Sequence, residues 1–222
     1  MIENIKPMDI EKRSFEIISE LLGDKVLDPQ NELVIKRAIH TTADFDYADN
    51  LVFSENAVAK GIEALRSGCD IVTDTQMAKS GINKTILGKL GGTVHCFMSD
   101  ADVAEEAKQR GITRAIVSME RAAALPKPCI FAIGNAPTAL IALHGMIEAG
   151  KLSPALIIGV PVGFVNVVES KEALFAACAA HGVPAIAAMG RKGGSNVAAA
   201  ICNALIYSAS EMLDPAARGW RG

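Results

Sequence analysis

The stretch Cys129-Ile-Phe-Ala-Ile-Gly-Asn-Ala-Pro-Thr138 decides the fold class. It begins with an apolar run, Cys129–Ile133, and passes through a turn at Gly134 into a predicted amphipathic helix at Asn135–Ala149. Every position of the run is apolar, whereas a strand with one solvent-facing side would alternate with polar residues. This favours a strand that helices cover on both faces. A strand, a turn and a helix in this order predict one βα unit of a parallel sheet.

The same alternation of short apolar runs and amphipathic helices extends in both directions along the chain. It predicts strands at Asp70–Thr73, Thr93–Met98, Ala155–Gly159 and Ala185–Met189, and helices at Asp100–Arg110, Ser170–His181 and Ser195–Leu213. Two further helices, at Met8–Leu22 and at residues 30–39, precede this pattern. We therefore predict an α/β fold with a mostly parallel, doubly wound sheet. We also predict one domain over residues 1–222, whose N-terminal helices (9–39) precede the α/β core.

The composition indicates a folded chain with balanced charge. Half of the 222 residues are hydrophobic, 21% are charged, and the net charge is −3. These values exclude an intrinsically disordered chain, and the lack of a basic block argues against a nucleic-acid partner. We expect no signal peptide, because residues 1–14 contain no apolar core, and no membrane span, because no run of about 18 apolar residues occurs. The five cysteines are well separated and never form a CxxC pair, so we expect reduced thiols and a cytoplasmic location.

The sequence contains no recognisable cofactor or metal motif. No GxGxxG follows a predicted strand, and the nearest match to a phosphate-binding P-loop, residues 145–152, lacks the Ser or Thr that would hold a Mg²⁺ ion. There is no HExxH motif, and the four histidines have no paired cysteines or carboxylates to complete a ligand set. The sequence therefore predicts neither a cofactor nor a metal site.

Polar, glycine-containing loops follow the predicted strands at the carboxyl edge of the sheet, where ligands bind in open sheets of this kind. In Gly190-Arg-Lys-Gly-Gly-Ser195, two cations and backbone N–H groups precede a helix, which indicates a site for phosphate or carboxylate. An ordinary surface turn with solvated charges is the alternative. In Gly134-Asn-Ala-Pro-Thr138, Asn135 and Thr138 are candidate binding residues, although N-capping of the next helix would also account for them.

His40 differs from the other histidines in its surroundings. It lies at the end of a helical run, three residues after Arg37, so that both side chains can project from one face of the helix end. With an ordinary pKa of about 6.5, an imidazole is a suitable proton carrier near neutral pH. The alternative is a solvent-exposed cation that stabilises the helix C-terminus. Spacing alone does not separate these two interpretations.

The chain resembles the precorrin-8X methylmutases of cobalamin biosynthesis in five motifs. They are Arg37-Ala-Ile-His-Thr-Thr-Ala-Asp-Phe45, Asp74-Thr-Gln-Met77, Gly134-Asn-Ala-Pro-Thr-Ala-Leu140, Gly159-Val-Pro-Val-Gly-Phe-Val-Asn166 and Gly190-Arg-Lys-Gly-Gly-Ser195. Their order and spacing match over residues 7–212, which is nearly the whole chain. Several motifs in order are far more specific than any one of them.

This resemblance implies an isomerase that moves a methyl group from C11 to C12 of ring C. The substrate would be precorrin-8X, giving hydrogenobyrinate, or cobalt-precorrin-8, giving cobyrinate. The resemblance also implies a three-layer α/β/α sandwich, a homodimer with a shared active-site cleft, a corrinoid tetrapyrrole as substrate and product, and no cofactor. His40 matches the family's catalytic histidine, which would donate a proton to the ring and recover it. Arg37 and Ser14 match its substrate-binding residues, to which chemistry and loop position add Thr41, Asn135, Thr138, Arg191 and Lys192.

A different class of function also fits these residues. An α/β fold with such loops would suit a nucleotide- or phosphometabolite-binding protein that uses Gly190–Ser195 as its phosphate loop. A tightly bound, coloured corrinoid would favour the methylmutase, whereas a nucleotide absorption spectrum would favour the alternative.

Overall fold

The computed structural model describes residues 5–6 and 9–218, in which a six-stranded sheet lies between two layers of helices. The strands are β1 (Leu51–Phe53), β2 (Asp70–Thr73), β3 (Val94–His95), β4 (Cys129–Ile133), β5 (Leu156–Gly159) and β6 (Ala185–Ala188). Their order across the sheet is β1-β6-β5-β4-β2-β3. All neighbours are parallel except β1, which runs antiparallel to β6. The predicted mostly parallel, doubly wound α/β sheet is confirmed.

The helices divide between the two faces of the sheet. One layer holds α1 (Ile10–Leu22), α2 (Glu32–Thr42), α3 (Tyr47–Asn50), α4 (Ala57–Arg66), α5 (Gln76–Gly81), α6 (Lys84–Lys89) and α11 (Ser195–Ala209). The other holds α7 (Ala101–Arg110), α8 (Arg114–Ala123), α9 (Pro137–Glu148) and α10 (Val167–Ala180), and a short 3-10 helix follows α11 at Pro215–Arg218. In the described part of the chain, no helix has both the length and the apolar character needed to cross a membrane.

The side chains of β4 explain why the sheet is covered on both faces. All five residues of this strand are buried. Ile130 and Ala132 join the core on the α11 side, while Phe131 and Ile133 join the core beneath α9 and α10. Full burial of an Ile or Phe side chain stabilises the fold by about 1.5–3 kcal/mol, so a strand that exposed either face would lose several such contributions. The predicted three-layer α/β/α sandwich is confirmed.

Differences from the predicted elements are concentrated at the sheet edges and in the short helices. The sequence analysis predicted neither β1 nor α3, α4, α5, α6 and α8. The strand expected at Thr93–Met98 pairs with β2 only through Val94 and His95, since β3 is an edge strand and the chain turns at Phe97. The helix expected at residues 30–39 continues to Thr42 and so includes His40. The expected first residue of α1, Met8, lies outside the described residues.

The cysteines belong to the core rather than to a reactive site. All five are free and buried. Burial raises the pKa of Cys69, Cys178 and Cys202 to about 12 and the pKa of Cys129 to about 11. These four thiols therefore stay protonated at neutral pH and pack as small apolar groups.

Candidate active site

His40 lies on the last turn of α2, against the middle of α1. Its Nδ1 is 2.7 Å from the Oγ of Ser14, in a hydrogen bond whose donor depends on the imidazole tautomer. The ring also packs against Phe15, with the two ring centroids 5.5 Å apart. These neighbours orient the imidazole and leave its Nε2 without a hydrogen-bond partner among residues 5–6 and 9–218. Thr41 is exposed at the same helix end, and so the structure brings His40, Ser14 and Thr41 together as predicted site residues.

The surroundings of His40 favour the neutral imidazole. Burial is the largest cause and the nearby Arg37 guanidinium adds to it, so that the pKa of His40 is lowered from 6.5 even though the Glu11 carboxylate opposes the shift. His40 is therefore largely neutral at pH 7, and its protonated form is a stronger acid than a free imidazolium. A group with these properties can give and take a proton near neutral pH.

His40 and Ser14 open onto an apolar groove along α1. The groove has a volume of about 330 Å³ and is otherwise lined by Ile5, Ile10, Arg13, Ile17, Ile18, Leu21, Ile39, Ala43 and Phe45. Ile10, Ile17 and Leu21 are 54%, 37% and 66% exposed. Together with Ser14 they follow heptad spacing and form one stripe on the helix, which we name the α1 stripe. None of the described residues covers this stripe.

Arg37 is held in a cluster of charged and aromatic groups. Its Cζ lies 5.2 Å from the ring centroid of Phe15 and 5.1 Å from that of Tyr207. Its Nη2 is 2.5 Å from Oε1 of Glu11, and Arg218 donates to the same oxygen at 2.7 Å. Burial raises the pKa of Glu11, but the two arginines outweigh this effect and the net shift is downward. The cluster therefore contains an ionised carboxylate shared by two guanidinium groups.

The structure places Arg37 and His40 on different cavities. Arg37 borders a cavity of about 570 Å³ that does not include His40 among its lining residues. Phe15 contacts both side chains. The two side chains were expected to project from one face of the helix end, but they border two neighbouring cavities instead of one shared cavity. Arg37 affects His40 through its charge, which lowers the pKa of His40 and so favours the neutral imidazole.

A buried carboxylate organises the carboxyl edge of the sheet. Asp74 follows β2, is fully buried, and accepts hydrogen bonds from the backbone N–H groups of Gly134, Asn135 and Ala136 at 2.8, 2.8 and 2.6 Å. This connection between β4 and α9 lies beside the point where the strand order reverses. Burial raises the pKa of Asp74, and the three hydrogen bonds oppose that shift. The sequence analysis assigned Asp74 no role, although an acidic residue directly after a strand was the available signal.

Close backbone contacts hold the loops of this edge against one another. A Cβ at Gly134 would lie 2.7 Å from the Cα of Ser195, and a Cβ at Gly193 would lie 2.1 Å from the carbonyl oxygen of Val160. The hydroxyls of Thr75 and Ser195 are hydrogen-bonded at 2.8 Å. Glycine is required at these two positions because backbones meet there, and the loops form one packed unit.

Asn135 and Thr138 lie at the start of α9 on this packed edge. Neither acts as the N-cap, because Ala136 occupies that position and no side chain caps it. The Oγ1 of Thr138 accepts a hydrogen bond from Thr113 at 3.1 Å. The Asn135 side chain is exposed and has no hydrogen bond to any described residue. N-capping therefore does not account for these two residues.

The loop Gly190–Gly194 places Arg191 and Lys192 beside the end of α2. The Nζ of Lys192 is 2.6 Å from a carboxylate oxygen of Asp44 and 2.6 Å from one of Asp46. These hydrogen bonds, that to Asp44 first, raise the pKa of Lys192. Arg191 is exposed, and its side chain has no ion pair within the described ranges. The two cations therefore differ: Lys192 links the sheet edge to the turn after His40, and Arg191 offers an uncompensated charge.

The groups exposed at this site suit an organic ligand that carries carboxylates. The Thr41 hydroxyl, the Asn135 amide and the Arg191 guanidinium are exposed and can donate hydrogen bonds to a carboxylate. Among the residues that the structure describes, no group of three or more His, Cys, Asp or Glu side chains could hold a metal ion. The site thus combines one proton carrier, apolar surface and several hydrogen-bond donors.

Comparisons with known proteins agree on one family. The family model for precorrin-8X methylmutase matches residues 9–208. The chain is 48% identical to the cobalt-precorrin-8 methylmutase of Salmonella typhimurium, over 93% of this chain and 97% of that protein. It is 45% identical to the cobalt-precorrin-8 methylmutase of Priestia megaterium, over 90% and 88%. A crystal structure of precorrin-8X methylmutase from Thermus thermophilus has a TM-score of 0.82 and 37% identity, and the match covers 91% of this chain and 98% of that one. The protein therefore belongs to the precorrin-8X methylmutase family.

Proposed function

We propose that this protein moves a methyl group from C11 to C12 of ring C in a corrin precursor, as an isomerase of cobalamin biosynthesis. The substrate is cobalt-precorrin-8 or its metal-free form, precorrin-8X, and the product is cobyrinate or hydrogenobyrinate. Family membership supports this function. The observation that carries it is the hydrogen-bonded pair of His40 and Ser14 at the edge of an open apolar groove.

A proton carried by His40 accounts for the chemistry. The methyl group leaves a quaternary carbon of a conjugated macrocycle, and a proton on a ring nitrogen makes that system electron-poor and favours the shift. The imidazolium donates this proton from Nε2, while its Nδ1–H is held by the Oγ of Ser14. After the methyl group has moved, the neutral imidazole takes the proton back. The lowered pKa of His40 supports this role, since it makes the imidazolium a better donor to a weakly basic nitrogen.

The carboxyl edge of the sheet supplies groups for the acetate and propionate side chains of the macrocycle. The exposed Arg191 forms charge-assisted hydrogen bonds to a carboxylate, and Asn135, Thr138 and Thr41 add neutral donors. Lys192 remains a proposed contact, although its charge is already compensated by two carboxylates. Arg37 has already paired its Nη2 with Glu11, so a substrate carboxylate would have to share this guanidinium with Glu11 or replace it.

We further propose that the enzyme is a homodimer whose subunits share the active-site cleft. The support is the α1 stripe, which leaves large apolar side chains exposed next to His40. A second copy packed on this stripe would bury the apolar surface and exclude water from the imidazole. A corrin macrocycle is also wide enough to contact both subunits.

Sedimentation of a stripe variant tests the dimer. Leu21→Lys places a charge on the most exposed apolar residue of the α1 stripe, and we expect it to yield a monomer with little activity. Val26→Lys serves as the matched control, because Val26 is 91% exposed outside the stripe. A wild-type protein that sediments as a fully active monomer at nanomolar concentration would contradict the proposal.

The cobalt-bearing substrate has support in the comparisons, because the relatives from Salmonella typhimurium and Priestia megaterium are both named for cobalt-precorrin-8. The decisive experiment is an assay of cobalt-precorrin-8 and precorrin-8X side by side, with product formation followed by absorption spectroscopy. We expect turnover of at least one of them. No turnover of either, by an enzyme that is folded, would overturn the proposed function.

The alternative function, a nucleotide- or phosphometabolite-binding protein, is not supported. The precorrin-8X methylmutase model covers the Gly190–Ser195 loop itself, and the Ser195 hydroxyl is already bonded to Thr75. We place the enzyme in the cytoplasm, which the five free, buried cysteines support.

A further inference from the structure

Lys171 is a buried cation that the mechanism above does not use. It lies on α10 and is only 1% exposed. Its Nζ donates hydrogen bonds to the carbonyl oxygens of Gly190 and Lys192, both at 2.9 Å. No carboxylate of the described chain forms an ion pair with it. Burial lowers the pKa of Lys171 to about 8, so the amine is still largely protonated at neutral pH. The two carbonyl oxygens are therefore what solvates this charge.

Three successive carbonyl groups of the Gly190–Gly194 loop accept hydrogen bonds from other elements of the protein. Between the two carbonyls that Lys171 holds, the carbonyl of Arg191 accepts a hydrogen bond from the N–H of Gly163 at 3.2 Å. The N–H groups of residues 191–193, in contrast, have no acceptor among the residues that the structure describes. Successive free N–H groups form a concave site that binds anions. Three carbonyls of the loop thus accept hydrogen bonds from the protein, whereas three consecutive N–H groups have no acceptor among the described residues.

We propose that Lys171 is a positioning residue for substrate binding. Its ammonium group fixes the Gly190–Gly194 loop so that the N–H groups of residues 191–193 and the Arg191 guanidinium bind one carboxylate of the corrin substrate. Lys171 itself does not touch the substrate. This inference rests on the proposed function and assigns that function's anion site to backbone donors as well as to side chains.

The same hydrogen bonds connect the anion site to the proton carrier. The carbonyl of Lys192 is held by Lys171, while the side chain of Lys192 pairs with Asp44 and Asp46. These two carboxylates lie in the turn that follows His40. A rigid loop therefore keeps the carboxylate-binding groups at a set distance from the imidazole, which is what alignment of the macrocycle requires.

Titration of product into Lys171→Met tests the proposal, because Met keeps the length of the side chain without charge or donors. We expect the Kd for cobyrinate to rise about tenfold or more, with a smaller change in kcat than in KM. Adding Arg191→Ala to Lys171→Met should weaken binding less than Arg191→Ala does alone, since the loop is already displaced. Leu174→Ala is the matched control: it removes a buried apolar side chain from the same helix, so it lowers Tm but leaves the Kd within about twofold.

Two results would overturn the proposal. One is an unchanged Kd in Lys171→Met, and the other is full additivity of Lys171→Met and Arg191→Ala. If Lys171→Met does not fold, amide hydrogen exchange of the wild-type enzyme decides: residues 191–193 should exchange fast in the free enzyme and become protected by cobyrinate. Exchange that product leaves unchanged would also contradict the proposal. Failure of the proposed function would look different, because wild-type enzyme would then neither bind nor turn over corrinoids.

Discussion

The groove around His40 and the carboxyl edge of the sheet are built in opposite ways. His40 has one side-chain hydrogen bond and an exposed apolar wall, whereas the sheet edge is held by the buried carboxylate of Asp74 and by backbones in contact at Gly134 and Gly193. The groove is an exposed apolar surface that a second protein chain could cover. The carboxyl edge of the sheet is a tightly packed unit, which we call the frame. We therefore expect the two regions to have different roles: the sheet edge would hold the substrate, and His40 in the groove would transfer the proton.

Removal of the imidazole should give the largest effect. His40→Ala should lower kcat by about 10²–10⁴-fold or more, because general acid–base catalysis supplies that much. His40→Asn, which keeps a hydrogen-bond donor but cannot cycle a proton, should be nearly as inactive, and product binding should survive in both. Steady-state kinetics with a circular dichroism check of folding measure this, with the half-exposed His181→Asn as control. An Asn variant that keeps most of the turnover would mean that His40 only positions the macrocycle.

Removal of the central carboxylate of the frame should act on stability instead. Asp74→Ala leaves three N–H groups without their acceptor, and each such buried group costs roughly 1–3 kcal/mol, so we expect a loss of about 3 kcal/mol or more in the free energy of unfolding. Urea unfolding measures it. The exposed Asp100→Ala, whose side chain makes no cap hydrogen bond, should change stability by less than about 0.5 kcal/mol. If the two variants lose the same free energy of unfolding, Asp74 does not hold the sheet edge together.

The pH dependence of the rate should report on the groove alone. With the imidazolium as the proposed proton donor, we expect kcat/KM to rise as pH falls from 8 and to level off below the lowered pKa of His40, hence below pH 6.5. Arg37→Met should move this inflection to higher pH, since the Arg37 charge helps to lower the pKa. Tm should be followed over the same range: protonation of a group with a lowered pKa favours the unfolded chain as pH drops through about 6.5. If kcat/KM decreases as the pH is lowered while Tm stays constant, His40 is not the proton donor.

The smallest effects should separate the two cations of the frame. Arg191→Ala should raise the product Kd about fivefold at low ionic strength and less at high salt, because screening weakens an exposed charge. Lys192→Ala should have a smaller effect, since Asp44 and Asp46 already compensate its charge. The double variant should therefore resemble Arg191→Ala. Isothermal titration calorimetry at two salt concentrations measures these Kd values. An equal rise of Kd in the two single variants would contradict the predicted difference between Arg191 and Lys192.

The parts of the fold that local pattern could predict are the central βα units. β2 and β4 have the predicted bounds because each is a short run between turn residues and is buried on both faces. β1 escaped prediction because it has three residues and an antiparallel partner, β6, far along the chain. Periodicity carries no information about such a pairing.

The sequence was sufficient to name candidate site residues, but it did not predict the contacts between them. Ser14 came from the family resemblance, whereas His40 was also indicated by its position after Arg37 at the end of a predicted helix. Their hydrogen bond joins residues 26 positions apart. The partner of Arg37, Glu11, is equally distant, and the contact between Lys192 and Asp46 spans 146 positions. Lys171 was not identified because the role proposed for it rests on hydrogen bonds from its Nζ to two carbonyls of a distant loop. Long-range pairs of this kind follow from topology, which single-residue patterns do not encode.

The buried thiols make this chain a convenient background for single-site labelling. A pKa of about 11 or 12 at Cys69, Cys129, Cys178 and Cys202 leaves on the order of one thiolate in a thousand or fewer at pH 8. A cysteine introduced by Val165→Cys, at a position 77% exposed on the loop after β5, would react far faster than these. A fluorophore there would be quenched by energy transfer to an arriving corrinoid, and binding could be timed without first removing the native cysteines.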